Sequence, residues 1–242
     1  MLPNIWIFDT YSIMILIGVI ACFMLLWFYS KKRKIDEKYT LDIMIIGCVS
    51  IVIGFGFAVF FQFIFDLLKD INGIRFGAMT FYGGLIGGVI SFILIYKFWI
   101  KKFYPEQKLN DILPIAPACI TIAHGFGRIG CFLAGCCYGK ETTSWIGMKF
   151  PGMTSAVYPT QLFEALFLFI LSAILFLLAY KKFFKYNMSI YLFSYGIFRF
   201  LLEFLRGDNR GAIILLSPSQ WISIIAIIIS IILFFKMKKA TN

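Results

Sequence analysis

The sequence predicts an all-α integral membrane protein with about seven transmembrane helices, an external amino terminus and a cytoplasmic carboxyl terminus. The first observation is composition, because 61% of the 242 residues are hydrophobic and 14% are charged, whereas about half of a soluble domain is apolar and about a quarter is charged. The others are a series of apolar segments and the placement of basic residues between them. A spanning helix needs about 20 apolar residues, so we expect residues 1–242 to form a single polytopic membrane domain.

Seven apolar segments mark the predicted spans. The first has neither the basic start nor the small-residue cleavage site of a signal peptide, so we interpret it as the first span. The segments are Tyr11–Tyr29, Leu41–Phe65, Met79–Trp99, Ile112–Leu133, Gln161–Tyr180, Met188–Leu205 and Gln220–Phe235.

Clusters of basic residues follow the first, third, fifth and seventh segments. Because these are alternate connections, seven crossings place all four clusters on one face of the membrane, which the excess of lysine and arginine identifies as cytoplasmic. The net charge of +11 is therefore attributed to topology, and no nucleic-acid partner is expected. The clusters lie within Lys31–Lys34, Lys97–Lys102, Lys181–Lys185 and Lys236–Lys239.

The sixth segment carries charged residues, which are costly inside a membrane and usually functional. Tyr195, Arg199 and Glu203 follow one another at intervals of four residues, with Arg206 three further on. That spacing places them on one face of a helix. The alternative is a purely structural Arg199–Glu203 pair that joins two helices.

The fourth segment places His124, Arg128 and Cys131 on one helix face and continues into a glycine-rich stretch that includes Gly127 and Gly130. Many glycines indicate a bent or broken helix that lines a cavity, where irregular backbone is tolerated at membrane depth. Backbone N–H groups beside Arg128 would suit a phosphate. The alternative is close helix packing through small residues.

Polar or small residues also begin the third, fifth and seventh segments. Gln161 and Glu164 share a face at the start of the fifth. With the predicted topology, these residues and the arginines lie toward the outer ends of their helices, which predicts a polar chamber near the outer leaflet. We expect an anionic lipid headgroup to occupy it, because the chamber would hold at least two arginines. The remaining members are Tyr82, Glu203 and Gln220.

Three cysteines, Cys131, Cys136 and Cys137, lie close together and near the only histidine, His124. Their spacing is not a standard zinc pattern, so we predict no metal and no cofactor. The alternatives are a disulfide outside the membrane, a nucleophilic cysteine that forms a covalent lipid intermediate, and small packing residues in a tight turn.

Four motifs, in order along residues 75–225, resemble those of the prolipoprotein diacylglyceryl transferase family. Phe81–Leu85 is similar to the family's Phe-His-Gly-Gly-Leu, and Gly127–Gly135 is similar to its Gly-Arg-x-Gly-Asn-Phe-x-Asn-Gly. Tyr158–Glu164 is similar to His-Pro-Ser-Gln-Leu-Tyr-Glu, and Tyr195–Arg206 is similar to Tyr-Gly-x-x-Arg-Phe-x-x-Glu-Phe-x-Arg. Any one motif is weak evidence, whereas the ordered set is specific.

The resemblance implies a multi-pass enzyme of the bacterial cytoplasmic membrane. It would move the diacylglyceryl group of phosphatidylglycerol onto the lipobox cysteine thiol of a prolipoprotein, and glycerol phosphate would leave. Arg128 and Arg199 would hold the phosphate and stabilise its developing charge, while Glu203 and Tyr195 would orient Arg199 or the substrate. The predicted catalytic residues are Arg128, Arg199, Glu203, Tyr195, Tyr82, His124 and Cys131. The predicted substrate-binding residues are Gly83, Gly84, Gly127, Gly130, Gln161, Glu164, Arg206 and Gln220.

Several positions depart from the family's motifs. Tyr82 replaces a histidine, and a phenol, with a usual pKa of about 10, is a poor general base at neutral pH. Cys131 and Cys136 replace an asparagine and an acidic residue, and Tyr158 replaces a second histidine. His124 is either the substitute base or a packed structural histidine. These departures suggest a divergent paralogue that keeps the lipid donor site and changes the acceptor site.

Other functions stay open at this point. The acceptor could be a glycan, another lipid or a different thiol. The same arginine chamber could serve a lipid transporter or scramblase, although the repeated halves of many transporters are not evident. A catalytically inactive lipid-binding subunit is a third class. Release of glycerol phosphate would separate the enzyme from the last two.

Overall fold

A computed structural model describes residues 4–5, 8–69, 80–182, 185–207 and 215–239. Over these ranges the chain is mainly helical, and one antiparallel pair of two-residue strands, β1 (Asn4–Ile5) and β2 (Phe8–Asp9), precedes the first helix. A π-helical turn, Tyr96–Ile100, joins α3 to α4, and a 3-10 turn, Glu203–Leu205, extends α8. The helices are α1 (Thr10–Arg33), α2 (Glu37–Lys69), α3 (Phe81–Ile95), α4 (Lys101–Phe103), α5 (Leu109–Ile112), α6 (Ala116–Leu133), α7 (Thr160–Lys182), α8 (Asn187–Leu202) and α9 (Pro218–Lys239).

Seven helical stretches within the described ranges are long and apolar enough to cross a membrane. Each coincides with one of the predicted apolar segments to within a few residues, so the predicted all-α multi-pass membrane protein is confirmed. The sidedness of the termini stays a prediction. The stretches are Thr10–Arg33, Glu37–Leu68, Gly83–Phe103, Ala116–Leu133, Thr160–Lys181, Asn187–Leu205 and Pro218–Lys239.

The chain forms two compact units, which are described separately. The first comprises Met1–Tyr29 with Asn110–Asn242, and the second comprises Ser30–Leu109. The expectation of a single membrane domain stays a prediction. Parts of two predicted outer connections, residues 70–79 and 208–214, lie outside the described residues.

In the first unit, α6 packs along α7, and α8 packs along α9. Glycines allow both contacts, because a Cβ atom at Gly125 would lie 2.7 Å from the ring of Phe169 and one at Gly196 would lie 2.8 Å from Ile227. Small residues at such crossings are typical of membrane helices, whose association depends on close van der Waals packing. These contacts fix the register at which polar side chains of neighbouring helices meet.

The helix α6 is continuous from Ala116 to Leu133 and carries a proline in its first turn, where a missing backbone N–H costs nothing. The glycines were expected to bend or break this helix; they do not break it, and a bend stays a prediction. Irregular backbone begins only after Leu133, where Gly135 and Cys137 have positive φ angles of 71° and 64°. The chain thus leaves helical geometry at the end of α6 rather than in its middle.

The connection between α6 and α7 is folded against the end of α8. Gly139 pairs with Arg206 in an antiparallel bridge, and Val157 pairs with Glu141 within the connection. The Gly139 N–H also donates a hydrogen bond to the Tyr158 carbonyl at 2.8 Å. These backbone contacts hold the turn after α6 beside the residues that follow α8.

In the second unit, α2 packs along α3 through glycines on both helices. A Cβ atom at Gly54 would lie 2.9 Å from the Gly84 carbonyl oxygen, and one at Gly83 would lie 2.8 Å from the side chain of Phe61. Side chains larger than hydrogen would force these helices apart. The small-residue stripe of the third span therefore serves helix packing within this unit.

Candidate active site

Glu164 is the centre of a buried polar cluster in the first unit. It lies near the start of α7 and is 0% exposed. One carboxylate oxygen lies 3.0 Å from Nε of Arg128, and the other lies 3.7 Å from Nε2 of His124. The hydroxyl of Tyr195 donates a hydrogen bond to that second oxygen at 2.8 Å. Three helices, α6, α7 and α8, therefore meet at one carboxylate; these four residues are called the Glu164 cluster.

The helical spacing of the sequence explains part of the Glu164 cluster. His124 and Arg128 are four residues apart in α6, so they share a face, and the rings of His124 and Tyr195 meet edge to face at 5.4 Å. A buried carboxylate is costly unless it is paired, and removal of one partner of a buried ion pair typically costs about 3–5 kcal/mol. Glu164 therefore both stabilises the helix contact and fixes the guanidinium of Arg128.

A second ion pair lies at the end of α8. Nη1 of Arg199 lies 2.7 Å from Oε2 of Glu203, and Nη2 donates a hydrogen bond to Oγ of Ser219 at 3.1 Å. Arg199 and Glu203 are both buried. The pair lies on one helix face, as the spacing predicted, and the Ser219 contact adds a hydrogen bond between α8 and α9.

Gln220 forms part of the cap of α9. Its Oε1 accepts a hydrogen bond from the Ser217 N–H at 3.0 Å, and Oγ of Ser217 accepts one from the Gln220 N–H at 3.2 Å. This reciprocal arrangement is a capping box, and Pro218 begins the helix, a position that suits proline. The structure thus gives Gln220 a structural partner, and its predicted contact with substrate stays a prediction.

The turn after α6 is held by side chains from other elements. Gln161 Nε2 donates a hydrogen bond to the Cys136 carbonyl. The Cys137 carbonyl accepts hydrogen bonds from Thr160 Oγ1 at 3.1 Å and from Arg206 Nη1 at 2.9 Å. The predicted site residues Gln161 and Arg206 therefore act on the backbone of this turn.

Three sulfur atoms meet in the same turn. The Sγ atoms of Cys131, Cys136 and Cys137 lie within 4.8 Å of one another, and the three residues are called the cysteine cluster. Cys131 and Cys137 are half-buried, whereas Cys136 is exposed. A hydrogen bond from Cys131 and the nearby guanidinium of Arg206 lower the pKa of the Cys137 thiol to about 5, because both favour the thiolate.

An open cavity of about 770 Å³ lies beside the cysteine cluster. Cys136 and Cys137 form part of its wall, and Lys140 and Glu141 add charged groups. Its volume falls in the range of about 300–1,000 Å³ that is typical of ligand sites. The rest of the wall comes from the α6–α7 connection and from Gly207.

The two predicted glycines of α6 differ in surroundings. A Cβ atom at Gly127 would meet nothing within 4 Å, so this position faces open space. A Cβ atom at Gly130 would lie 2.9 Å from the ring of Tyr11. Helix packing therefore explains Gly130, whereas Gly127 leaves room beside Arg128.

The predicted residues of the third span belong to the second unit. Gly83 and Gly84 lie in the packed contact with α2. The side chain of Tyr82 lies outside the part of the chain that the structure describes. The roles predicted for these three residues stay predictions.

The central position of Glu164 was missed by the sequence, which predicted only that it would line the chamber. Tyr195 bonds Glu164, where Arg199 or the substrate was the expected partner. Spacing within one helix shows which residues share a face, but it does not show which residue of another helix they meet. Thr160 and Ser219 were not predicted as site residues. Thr160 lies within the motif Tyr158–Glu164, whereas Ser219 only stands beside Gln220.

Comparisons with known proteins point to one family. Residues 4–236 match the family model described as prolipoprotein diacylglyceryl transferase. A phosphatidylglycerol–prolipoprotein diacylglyceryl transferase of Clostridium tetani is 38% identical over 238 residues, which cover 93% of this chain and 91% of that protein. The second such transferase of Clostridium perfringens is 37% identical over 93% of this chain and 89% of its own length. One from Finegoldia magna is 34% identical over 95% and 91%.

Proposed function

The chain belongs to the prolipoprotein diacylglyceryl transferase family, and from this premise we propose that it moves the diacylglyceryl group of phosphatidylglycerol to the lipobox cysteine of a prolipoprotein. The structural observation that supports the proposal is a pair of arginines, Arg128 and Arg199, each oriented by a carboxylate. The reaction is a group transfer between a lipid and a thiol at membrane depth.

The arginines supply the positive charge that an anionic lipid requires. Glu164 contacts Arg128 at Nε, so the terminal guanidinium nitrogens can bind two phosphate oxygens at once. Arg206 adds a third guanidinium close to the turn after α6. Glu203 is the second carboxylate and holds Arg199 in the same way. Guanidinium groups oriented like this favour binding of a phosphodiester anion.

The reaction needs a nucleophilic sulfur and a stabilised leaving group. The acceptor thiol loses its proton to water, and its sulfur forms a bond to the glyceryl carbon that carries the phosphate. The bond between that carbon and the phosphate oxygen breaks, and glycerol phosphate leaves with the electron pair. Arg128 and Arg199 stabilise the charge that develops on the phosphate, a contact whose loss typically lowers the rate by about 10²–10³.

The proposal includes the sidedness of the protein in a bacterial cytoplasmic membrane. Basic residues end α1 and α9 and occupy α4, at alternate ends of the spans, which supports an external amino terminus and a cytoplasmic carboxyl terminus. The Glu164 cluster would then face the outer leaflet. A cytoplasmic reporter fused after Asn242 should be active and one fused before Met1 inactive. The reverse result would overturn the orientation.

The first test measures the release of labelled glycerol phosphate from phosphatidylglycerol by purified protein. We expect release that depends on a lipobox peptide, and the matched control is a peptide with serine in place of its cysteine. Release in a cell extract but not with the peptide would indicate a different acceptor, such as a glycan or another lipid. Movement of lipid without release would indicate a transporter or scramblase instead.

A further inference from the structure

We propose that the cysteine cluster, Cys131, Cys136 and Cys137, binds one Zn²⁺ ion and leaves its fourth coordination position open to the thiol of the acceptor. The metal site stands on the geometry of the cluster. The role of the fourth position rests on the proposed function.

The three sulfur atoms already lie close to the spacing that zinc requires. Zn–S bonds of about 2.3 Å at tetrahedral angles place two sulfurs about 3.8 Å apart, and the Sγ atoms of the cluster lie within 4.8 Å of one another. Movements of about 1 Å, which small side-chain rotations provide, close the difference. Thiolates are also the ligands that zinc selects in preference to harder cations.

A disulfide would engage only two of the three sulfur atoms. Consecutive Cα atoms across a trans peptide lie about 3.8 Å apart, which is below the usual disulfide range of about 4.4–6.8 Å, so Cys136 and Cys137 are poorly placed to bond each other. A disulfide from Cys131 would take one of them and leave the third sulfur unused. One metal ion engages all three.

The backbone that carries the sulfurs is held in place by other elements. Gln161 and Arg206 bond the carbonyls of Cys136 and Cys137, and Cys131 lies in the last turn of α6. Partners of this kind orient the ligands of metal sites and are part of their design. Three thiolates and one Zn²⁺ carry a single negative charge, and the guanidinium of Arg206 lies next to the turn that holds them.

The fourth position of such a site would face a space large enough for a substrate. Cys136 and Cys137 lie in the wall of the open cavity of about 770 Å³. Zinc ions with three protein ligands keep the fourth position for water or substrate. The acceptor's cysteine can therefore approach the metal from the cavity.

A zinc-bound acceptor thiol would need no general base. His124, the only histidine of the sequence, is the candidate for a substitute base, and it already contacts Glu164 at 3.7 Å. A free thiol, with a usual pKa of about 8.5, is mostly protonated at neutral pH, whereas a thiol that coordinates a metal ion is deprotonated. Its proton passes to water. The sulfur then forms the C–S bond as the C–O bond to phosphate breaks, and zinc keeps its oxidation state.

Metal content tests the site. We expect about one zinc per chain in protein purified in detergent, and we expect Co²⁺ in its place to give the visible bands of a tetrahedral thiolate site. Cys136→Ser and Cys137→Ser should each lower zinc affinity at least about tenfold. Cys48→Ser, which changes an exposed cysteine of α2, is the matched control and should keep the metal.

Chelation and return of Zn²⁺ on the unchanged chain repeat the test without a substitution that could impair folding. Protein that binds no zinc when its thiols are reduced would overturn the site. So would copper in place of zinc, equal zinc content in all variants, or a disulfide at Cys131 found by counting thiols.

The lipobox peptide tests the fourth position. With Co²⁺ bound and phosphatidylglycerol absent, we expect the peptide to shift the visible bands and its serine counterpart to leave them unchanged. Unchanged bands with the cysteine peptide would overturn the role of the metal in acceptor binding. If the bands shift but no glycerol phosphate is released once phosphatidylglycerol is added, the result would support the metal site and contradict the proposed function. Full release by zinc-free protein would support that function and overturn this role of zinc.

Discussion

Both units pack membrane-spanning helices through glycines, and each also has a glycine that faces open space, Gly56 in the second unit and Gly127 in the first. In the second unit the neighbouring helix occupies the space where a Cβ atom at Gly54, Gly83 or Gly84 would lie. A methyl group at Gly83 would lie 2.8 Å from the side chain of Phe61. In the first unit Gly127 faces open space, one residue before Arg128. A glycine in a membrane helix therefore indicates a site only where its empty side lies beside a charged group.

Among the described contacts, a buried carboxylate is bonded by an amide in the second unit, whereas buried carboxylates contact guanidinium groups in the first. In the second unit Thr80 donates a hydrogen bond to Gln62 at 2.8 Å, and Gln62 donates one to Asp66 at 2.9 Å. In the first unit the carboxylates of Glu164 and Glu203 each contact an arginine. Hydrogen bonds through a neutral amide connect elements, whereas guanidinium–carboxylate pairs also hold a positive charge where an anion can bind.

The largest expected effect is at Arg128. Arg128→Lys keeps the charge but removes the planar guanidinium that contacts Glu164 and that, under the proposed function, binds two phosphate oxygens. We therefore expect glycerol phosphate release to fall about 10²–10³-fold. Membrane levels should stay unchanged. Lys181→Arg, an exposed position at the end of α7, is the control. If Arg128→Lys is about as active as the control, the assignment of Arg128 to the site is wrong.

The next largest effect compares a buried carboxylate of each unit, Glu164 in the first and Asp66 in the second. Glu164→Gln keeps an acceptor for Tyr195 but leaves the buried charge of Arg128 without its carboxylate. This should lower the free energy of unfolding by about 3 kcal/mol. Because the guanidinium of Arg128 is then no longer held, we expect glycerol phosphate release to fall about 100-fold. The lost ion pair should also lower the midpoint of thermal unfolding in detergent. Asp66→Asn in the second unit keeps an acceptor for Gln62 and should lower activity less than Glu164→Gln does. Equal losses in the two variants would end the distinction between the units.

A pair of glycine substitutions sharpens the comparison further. Gly83→Ala adds a methyl group against Phe61 and should lower the free energy of unfolding by about 1–3 kcal/mol. Gly127→Ala meets no neighbour and should leave stability the same or about 1 kcal/mol higher. Its activity should fall about tenfold if the lipid fills the space beside Arg128. A strong loss of stability in Gly127→Ala would show that this space is packed.

The smallest expected effect concerns the cap of α9. Ser217→Ala and Gln220→Ala each remove one half of the capping box, so each should lower the free energy of unfolding by about 1 kcal/mol. Activity measured below the unfolding transition should stay within about threefold of the unchanged chain. A much larger loss of activity in Gln220→Ala than in Ser217→Ala would show that Gln220 contacts the substrate.

Periodicity predicted the spans and the faces of single helices well. The seven apolar segments became seven spans because segment length and hydropathy act locally along the chain. The interval between Arg199 and Glu203 became an ion pair for the same reason. The convergence of Arg128, His124 and Tyr195 on Glu164 was not predictable, since it depends on the register of three packed helices.

The turn after α6 was the least predictable part of the site. The glycines around Arg128 suggested irregular backbone within the span, yet α6 runs unbroken to Leu133. The turn takes its shape from Gln161 and Arg206, which lie 25 and 69 residues away from the carbonyls they bond. A pattern of neighbouring residues cannot encode contacts at such separations, so the proximity of the three sulfurs emerged only from the fold.

The sharing of Glu164 by three partners has a consequence for how sequences of this kind can diverge. Residues that contact a common group couple energetically, by about 0.5–3 kcal/mol, so a second substitution in the Glu164 cluster should cost less than it would alone. If Glu164 is replaced, His124, Arg128 and Tyr195 all lose the carboxylate that they contact. Substitutions at these four positions should therefore accumulate as sets, and an isolated change at any one of them should be the hardest for a lineage to tolerate.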